Sequence, residues 1–317
     1  MGSGAAPTLL VVGDVLTDVT VTGLRSVAAG TDTPARVAIG GGGAAANTAA
    51  WSSALGIATT FCGRVGDDPW GAVADDLLTE LGVRTELARD ELRPTGTCVV
   101  LVRADGSRDL VVDPGASGAL DPADLPDPRG FTWVHLSGYP LLHEGSRAAA
   151  AGLLAAAQAE GVACSVDPAS VAPLRALGAA HFADLVHGVE VLFPNAAEAE
   201  VLTGHADPLA AARDLLDTAA EVVVTLGPDG ALSLDRSGLV LRSPAVVAAD
   251  TTSVAVDTTG AGDAFAAGWL AARLGGADRQ RQLDTGNACA ARVVCRTGTR
   301  PLPRRRSDGP DQRDRRP

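Results

Sequence analysis

The chain contains no lysine; all 26 of its basic residues are arginine. That absence excludes mechanisms built on a lysine amine: a Schiff base, a Ser-Lys dyad, a Walker-A phosphate loop. Aromatic residues make up 3% of the chain, with one Tyr and one Met. A site walled by several aromatic faces therefore has few residues to draw on. Five cysteines stand at 62, 98, 164, 289 and 295, an odd number with no CxxC pair. This argues against a disulfide framework and structural zinc, and it predicts reduced thiols in a cytoplasm. No run approaches the roughly twenty apolar residues of a membrane span. The start, MGSGAAPTLLVVGD, lacks the basic segment of a secretory signal. A net charge of −12 and a pI of about 4.8 weigh against nucleic acid or an anionic membrane as partner.

What is present is a large core. The chain has 317 residues, 46% of them hydrophobic, enough for one large domain or two modest ones. TLLVVGD (8–14), ATTFCGRVG (58–66), FTWVHLSG (131–138), VACSVDP (162–168) and VEVLFPN (189–195) read as buried strands. EVVVTLGPDGALSLD (221–235) reads as a strand, a turn and a strand. Helical patterns fall at 70–83, 146–161, near 171–180, and at 197–204, 208–220, 262–274 and 284–296. GGGGAAANTAAWSSALG (40–56) reads as a glycine loop opening a helix. The alternation predicts an α/β domain with a mainly parallel sheet. Three stretches break it: 15–24, 33–39 and 97–113, the last with a turn at Asp105-Gly106. They read as strands without intervening helices, a small separate sheet of the kind a lid would form. The tail at 303–317 is arginine-rich, without apolar periodicity, and its composition predicts disorder.

VDTTGAGDAFAAG (256–268) places glycines just before a helix. Unpaired amides at a helix N-terminus carry partial positive charge, and glycine lets an anion approach them. Gly260, Ala261 and Gly262 could hold a phosphate on that ground. Asp263, taken alone, reads equally as an N-cap or first-turn acid.

The loop resembles the second signature of the ribokinase (PfkB-type) carbohydrate kinase family, DTxGAGDxFxxG. The resemblance implies a ribokinase-like three-layer α/β/α sandwich with a small β-sheet lid. It implies that the amides of Gly260, Ala261 and Gly262 form an anion hole and that Asp263 is the catalytic base. Phosphoryl transfer relies on positioning and charge stabilisation, which requires base and amides to be neighbours. Gly42-Gly43-Ala44-Ala45-Ala46-Asn47 is similar to the family's first signature, which implies sugar contacts from Gly42, Gly43 and Asn47. Ala44 stands where ribokinase has lysine. The same loop also fits a dinucleotide fingerprint, Gly41-x-Gly43-x-x-Ala46, but it follows about forty residues of other structure, where a Rossmann unit normally begins with it.

Asn195 and Glu198 match the family's NxxE pattern. This implies an ATP-site role for Asn195 and, for Glu198, a hold on Mg²⁺ through water; the same spacing is also a capping box. Thr225, Gly227 and Gly230 resemble the turn that lines the ATP site, and Asn287 the position beside adenine. Asp18 is similar to the family's sugar-binding aspartate, with Asp14 a second candidate for that work. Asp257 and Thr259 match a monovalent-cation (K⁺) site. The resemblance runs from about residue 8 to 302 and implies one kinase domain over 1–302, with ATP and Mg²⁺ as cofactors. The resemblance implies a small sugar as acceptor or, alternatively, a nucleoside. No Phe, Tyr or Trp lies in the presumed lid, which favours a sugar, although Trp51, Phe61, Trp70 or Tyr139 could approach. Arg36, Arg103 and Arg108 keep a sugar phosphate open. The lid run CVVLV (98–102) is apolar on both faces, which points to a homodimer through the lid.

Overall fold

The computed structural model describes residues 6–24, 26, 29–103, 108–246, 258–295 and 298–302. The Asp105-Gly106 turn, Asp257 and the tail at 303–317 lie outside them. The strands are β1 (Thr8–Val12), β2 (Leu16–Leu24), β3 (Arg36–Gly42), β4 (Ala58–Gly66), β5 (Arg84–Asp90), β6 (Thr95–Arg103) and β7 (Arg108–Gly115). They continue with β8 (Trp133–Ser137), β9 (Ala163–Asp167), β10 (Val189–Leu192), β11 (Ala219–Thr225), β12 (Ala231–Asp235) and β13 (Val240–Ser243). Nine form one sheet in the order β13-β12-β11-β10-β9-β8-β1-β4-β5. It is parallel from β11 to β5 and ends in the antiparallel pair β12 and β13.

Alternation along β1 shows why this is a sandwich. Leu10 and Val12 face a core completed by Leu153, Leu154, Leu174 and Phe182 from the helices Glu144–Ala159, Val171–Leu177 and Ala179–Val186. Leu9 and Val11 face the opposite core, built with the helices Ala44–Ala54, Pro69–Glu80 and Ala261–Leu274. A parallel sheet needs cover on both faces, and its strands read as continuous apolar runs for that reason. Ala44–Ala54 is buried from Ala45 to Ser52. Its small side chains let it pack between the sheet and helix Ala261–Leu274.

The remaining strands form a second sheet, β3-β2-β6-β7. Its face toward the body buries Leu16, Cys98 and Val100. Its other surface exposes Val37, Ile39 and Val111, the last at 61%.

Several elements depart from the sequence pattern. Gly40–Gly42 belong to β3 rather than to a loop, pairing with Leu16, Thr17 and Asp18. Only Gly43 turns the chain, at φ 95°, where a Cβ would lie 2.5 Å from the Asp14 carbonyl oxygen. The helix expected near 171–180 is two short helices meeting at Gly178 (φ 94°). The last helix starts at Arg279 instead of 284, because Asp278 caps it through the Arg281 amide. The edge strands β5 and β13 had no counterpart in the pattern. RTELARD (84–90) is a charged edge, the kind that blocks further strand pairing.

One acid joins the two sheets. Asp68 caps helix Pro69–Glu80 by accepting the Gly71 amide at 2.8 Å. It also accepts the Thr95 amide and hydroxyl, each at 2.7 Å, at the first residue of β6. Partial burial works to raise its pKa, but the Thr95 and Gly71 hydrogen bonds outweigh this and hold the carboxyl below the usual range. A depressed pKa stabilises above the unfolded value and loses that contribution as the pH falls. Asp68→Ala is expected to lower unfolding stability by about 1–2 kcal/mol at neutral pH. Urea titrations should show the gap from wild type narrowing toward pH 3; an unchanged midpoint at neutral pH would contradict this role.

Candidate active site

Strand order reverses at β1, with β4 and β5 on one side and β8 to β13 on the other. Ligands of open α/β sheets bind beyond the strand C-termini at such a switch point. A cavity of about 250 Å³ lies there, and Asp14, Asp18, Asn47, Asp167, Glu198 and Asp263 line it.

Asp14 follows β1 and acts on the start of helix Ala44–Ala54. Its carboxylate accepts the amides of Ala44 (2.8 Å) and Ala45 (3.2 Å) and the Ser137 hydroxyl (3.1 Å). A carboxylate at a helix N-terminus satisfies orphan donors and opposes the dipole. Asp18 lies on β2 over Gly42, where a Cβ would collide with its carboxylate. Gly42 therefore admits Asp18 to the cavity.

One turn into the same helix, Asn47 donates from Nδ2 to Asp263 Oδ2 at 2.8 Å. Asp263 is the third residue of helix Ala261–Leu274, and the Thr48 hydroxyl donates to its carbonyl oxygen at 3.4 Å. Burial raises the Asp263 carboxyl well above the ordinary aspartate range. The Asn47 bond opposes the rise, while the charges of Asp167, Asp14 and Asp18 add to it. Gly260 sits at φ 81° and no side chain caps this helix among the described residues. Gly260, Gly262 and Asp263 border the cavity, and Ala261 lies between them with its amide turned to the Thr258 carbonyl at 3.3 Å. Thr259 lines the cavity as well.

The other end of the cavity holds the NxxE residues. Asn195 and Glu198 form a reciprocal capping box, with both hydrogen bonds at 2.9 Å. Thr225, at the end of β11, bridges Asn195. Burial raises the Glu198 carboxyl first, and the charge of Asp167 raises it further. Asp167 is raised by its own burial and by Asp14. Next to it, Ala169 is held at φ 76°, and its amide donates to Asp167 at 2.7 Å. Such left-handed backbone in a residue with a side chain clusters at functional sites. Among the described residues no three His, Cys, Asp or Glu side chains are arranged to hold a metal ion directly.

Gly227 (φ 60°) and Gly230 (φ 91°) form the turn between β11 and β12, outside the cavity lining. A Cβ on Gly230 would meet the Ser243 carbonyl. Asn287 is buried, and its amide donates to the Ser243 carbonyl and hydroxyl, each at 3.0 Å, and to the Pro244 carbonyl at 3.1 Å. It fixes the backbone beside that turn.

Sequence reasoning missed four contributors. Asp167 ends a strand at the C-terminal edge of the sheet, and that position was its only signal. Tyr139 and His143 stack at 6.2 Å and 16° and line the cavity; Tyr139 was considered only as one of several aromatics. Trp51 and Phe61 are fully buried and Trp70 is 45% exposed. Arg300 donates to Asn47 and to the Gly42 carbonyl and lies in no recognisable pattern. Of the three arginines of the small sheet, Arg108 lines the cavity, bonded to the Thr258 hydroxyl.

An α/β sandwich with an uncapped helix N-terminus beside a carboxylate at its switch point can hold an anionic group next to a proton acceptor. A model described as the pfkB family carbohydrate kinase matches residues 6–305, and the chain belongs to that family. It is 33% identical over 266 residues to an ATP-dependent ribose-1-phosphate kinase of Halopiger xanaduensis, covering 83% of each chain. It is 32% identical over 280 residues to a fructokinase of Escherichia coli, covering 81% of this chain and 86% of that one. The solved structure of an adenosine kinase from Sinorhizobium meliloti superposes with a TM-score of 0.83 at 25% identity, covering 94% and 97% of the two chains.

Asp14 has a local role that can be measured without a substrate. Asp14→Ala leaves two helix amides and the Ser137 hydroxyl without their acceptor. A loss of about 1–2 kcal/mol is expected, read from the urea midpoint; native stability in the variant would show that the cap is dispensable.

Proposed function

We propose that the chain transfers the γ-phosphoryl group of ATP to a hydroxymethyl group of a small sugar of the ribose, fructose or 2-keto-3-deoxygluconate kind. The observation that carries this is Asp263: a carboxylate of raised pKa, held by Asn47, at the uncapped start of a helix and open to the cavity. Asp263 accepts the proton of the attacking hydroxyl. The amides of Gly260 and Gly262, and that of Ala261 once it leaves the Thr258 carbonyl, stabilise the charge that develops on the phosphoryl oxygens. Asp18, Gly42, Gly43 and Asn47 contact the sugar, and Asp14 holds the start of the helix that carries Asn47.

The residues present fit Mg²⁺ and ATP. Burial and then the charge of Asp167 raise the Glu198 carboxyl, and burial and then Asp14 raise Asp167, the setting of crowded carboxylates that a cation would relieve. Mg²⁺ is held mainly through water and substrate phosphate, which agrees with a site of few direct protein ligands. When bound, the ion neutralises phosphate charge during transfer. Glu198 would hold the ion through water, with Asn195 fixing Glu198. Thr225, Gly227 and Gly230 line the nucleotide groove, and Asn287 acts by fixing the Ser243–Pro244 backbone beside it. Thr259 and Asp257, the latter outside the described residues, are the side chains that would hold K⁺. The domain spans 1–302, the small sheet is its lid, and the protein works in the cytoplasm.

A nucleoside acceptor is the second reading. Tyr139 and His143 offer a stacked face, and Leu16, Leu110 and Val112 give the cavity an apolar wall. Assay of ADP release against sugars and nucleosides separates the two. Asp263→Asn is expected to lower kcat by about 10²–10⁴-fold. A protonated Asp263 cannot take the hydroxyl proton, so kcat/KM should fall with falling pH well above the ordinary aspartate pKa of about 4. Full turnover in Asp263→Asn would remove the base from this reading.

The exposed apolar side chains of the small sheet fit a second copy of the chain. Sedimentation is expected to show a dimer, and Ile39→Lys to shift it toward monomer; a monomer at micromolar wild-type concentration would count against it.

A further inference from the structure

Asn47 can serve Asp263 only if its amide nitrogen, not its oxygen, faces the carboxylate. Two donors fix that orientation from behind. The Thr299 hydroxyl donates to Asn47 Oδ1 at 3.1 Å, and Arg300 Nε donates to the same oxygen at 3.2 Å. A flipped amide would set its oxygen against a carboxylate and its N–H groups against a guanidinium, losing both contacts at once. Arg300 is itself held by Nη2 donating to the Gly42 carbonyl at 2.7 Å. The Thr299 carbonyl accepts Trp51 Nε1 at 2.8 Å, which anchors the segment to helix Ala44–Ala54.

The guanidinium packs against Gly41, where a Cβ would overlap it. Its Nη1 is buried and has no hydrogen-bond partner among the described residues. Burying a cation with an unsatisfied donor is costly unless neighbouring charge compensates it. The compensating groups are the carboxylates of Asp18, Asp14 and Asp263. Asp263 in turn faces Asp14 beyond β1, Asp18 on β2, Asp167 at the end of β9 and Arg300 from the C-terminal segment. Glu198 and Arg108 line the same cavity.

We propose that Arg300 is a positioning residue for phosphoryl transfer, fixing the Asn47 amide toward Asp263 and supplying positive charge to a cavity end crowded with carboxylates. This rests on Asp263 as the base. A planar fork that donates to a side-chain oxygen and a backbone carbonyl together is a task for arginine, which lysine performs only in part. The effect falls on the chemical step and leaves ATP, which binds to other groups, largely untouched: without Arg300 the base loses its orientation and part of the charge that favours its ionised form.

The test compares wild type, Arg300→Lys, Arg300→Gln and Asp263→Asn across pH, with thermal unfolding of each. Arg300→Gln keeps an N–H donor but no charge. It is expected to lower kcat by about tenfold or more, to change KM for ATP less than twofold, and to move the acid limb of kcat/KM to higher pH. Arg300→Lys should return the acid limb toward wild type and recover part of kcat. If Arg300→Gln does not fold, a native-like Arg300→Lys with wild-type kcat would overturn the inference, and one with reduced kcat at unchanged Tm would support it. An unchanged kcat and acid limb in Arg300→Gln, with Asp263→Asn inactive, would overturn the role of Arg300 alone. Full turnover in Asp263→Asn would instead remove the base reading and this inference with it.

Discussion

The hydrogen bond from Asn47 to Asp263 joins residues 216 positions apart, and the candidate site is organised around it. It requires two helix N-termini to meet over the sheet edge. Alanines on helix Ala44–Ala54 allow the close approach. Gly43 and Asp14 set where that helix begins, and Gly260 sets where the other begins. Each local choice of residue serves the same long-range contact.

Charge is the second constraint. Asp14, Asp18, Asp167, Glu198 and Asp263 line one cavity in a chain with no lysine. Their mutual repulsion and burial raise the pKa values of Asp167, Glu198 and Asp263. Such a cavity is poised for a cation at one end and a proton acceptor at the other. The helix amides complement this by offering positive potential without a side chain, so an anion can enter a cavity rich in acids.

Much of this was legible in the chain because it is local. The parallel core strands announce themselves as apolar runs, and Gly260 to Asp263 and Gly42 to Asn47 each occupy a few consecutive residues. The strands of the second sheet stood out because no helix separates them. What was not legible is non-local or featureless. Arg300 meets Asn47 across 253 residues, and its sequence surroundings carry no period. Asp167 acquires its character from burial and from the charge of Asp14, which no spacing encodes. β5 is a charged edge strand, and Gly40–Gly42 have no side chains to alternate, so neither shows a strand pattern. Asn287 matched a position beside adenine, and nothing in its surroundings encoded that its amide is committed to Ser243 and Pro244.

The account's central claim is that one carboxylate and one helix start act on the same transferred group. A crystal structure with a non-hydrolysable ATP analogue, Mg²⁺ and the best acceptor from the assay panel tests it most directly. The account predicts an acceptor hydroxyl within about 2.6–3.2 Å of the Asp263 carboxylate, with the γ-phosphate against the amides of Gly260 to Gly262. An acceptor bound away from Asp263, or a γ-phosphate away from that helix start, would contradict it.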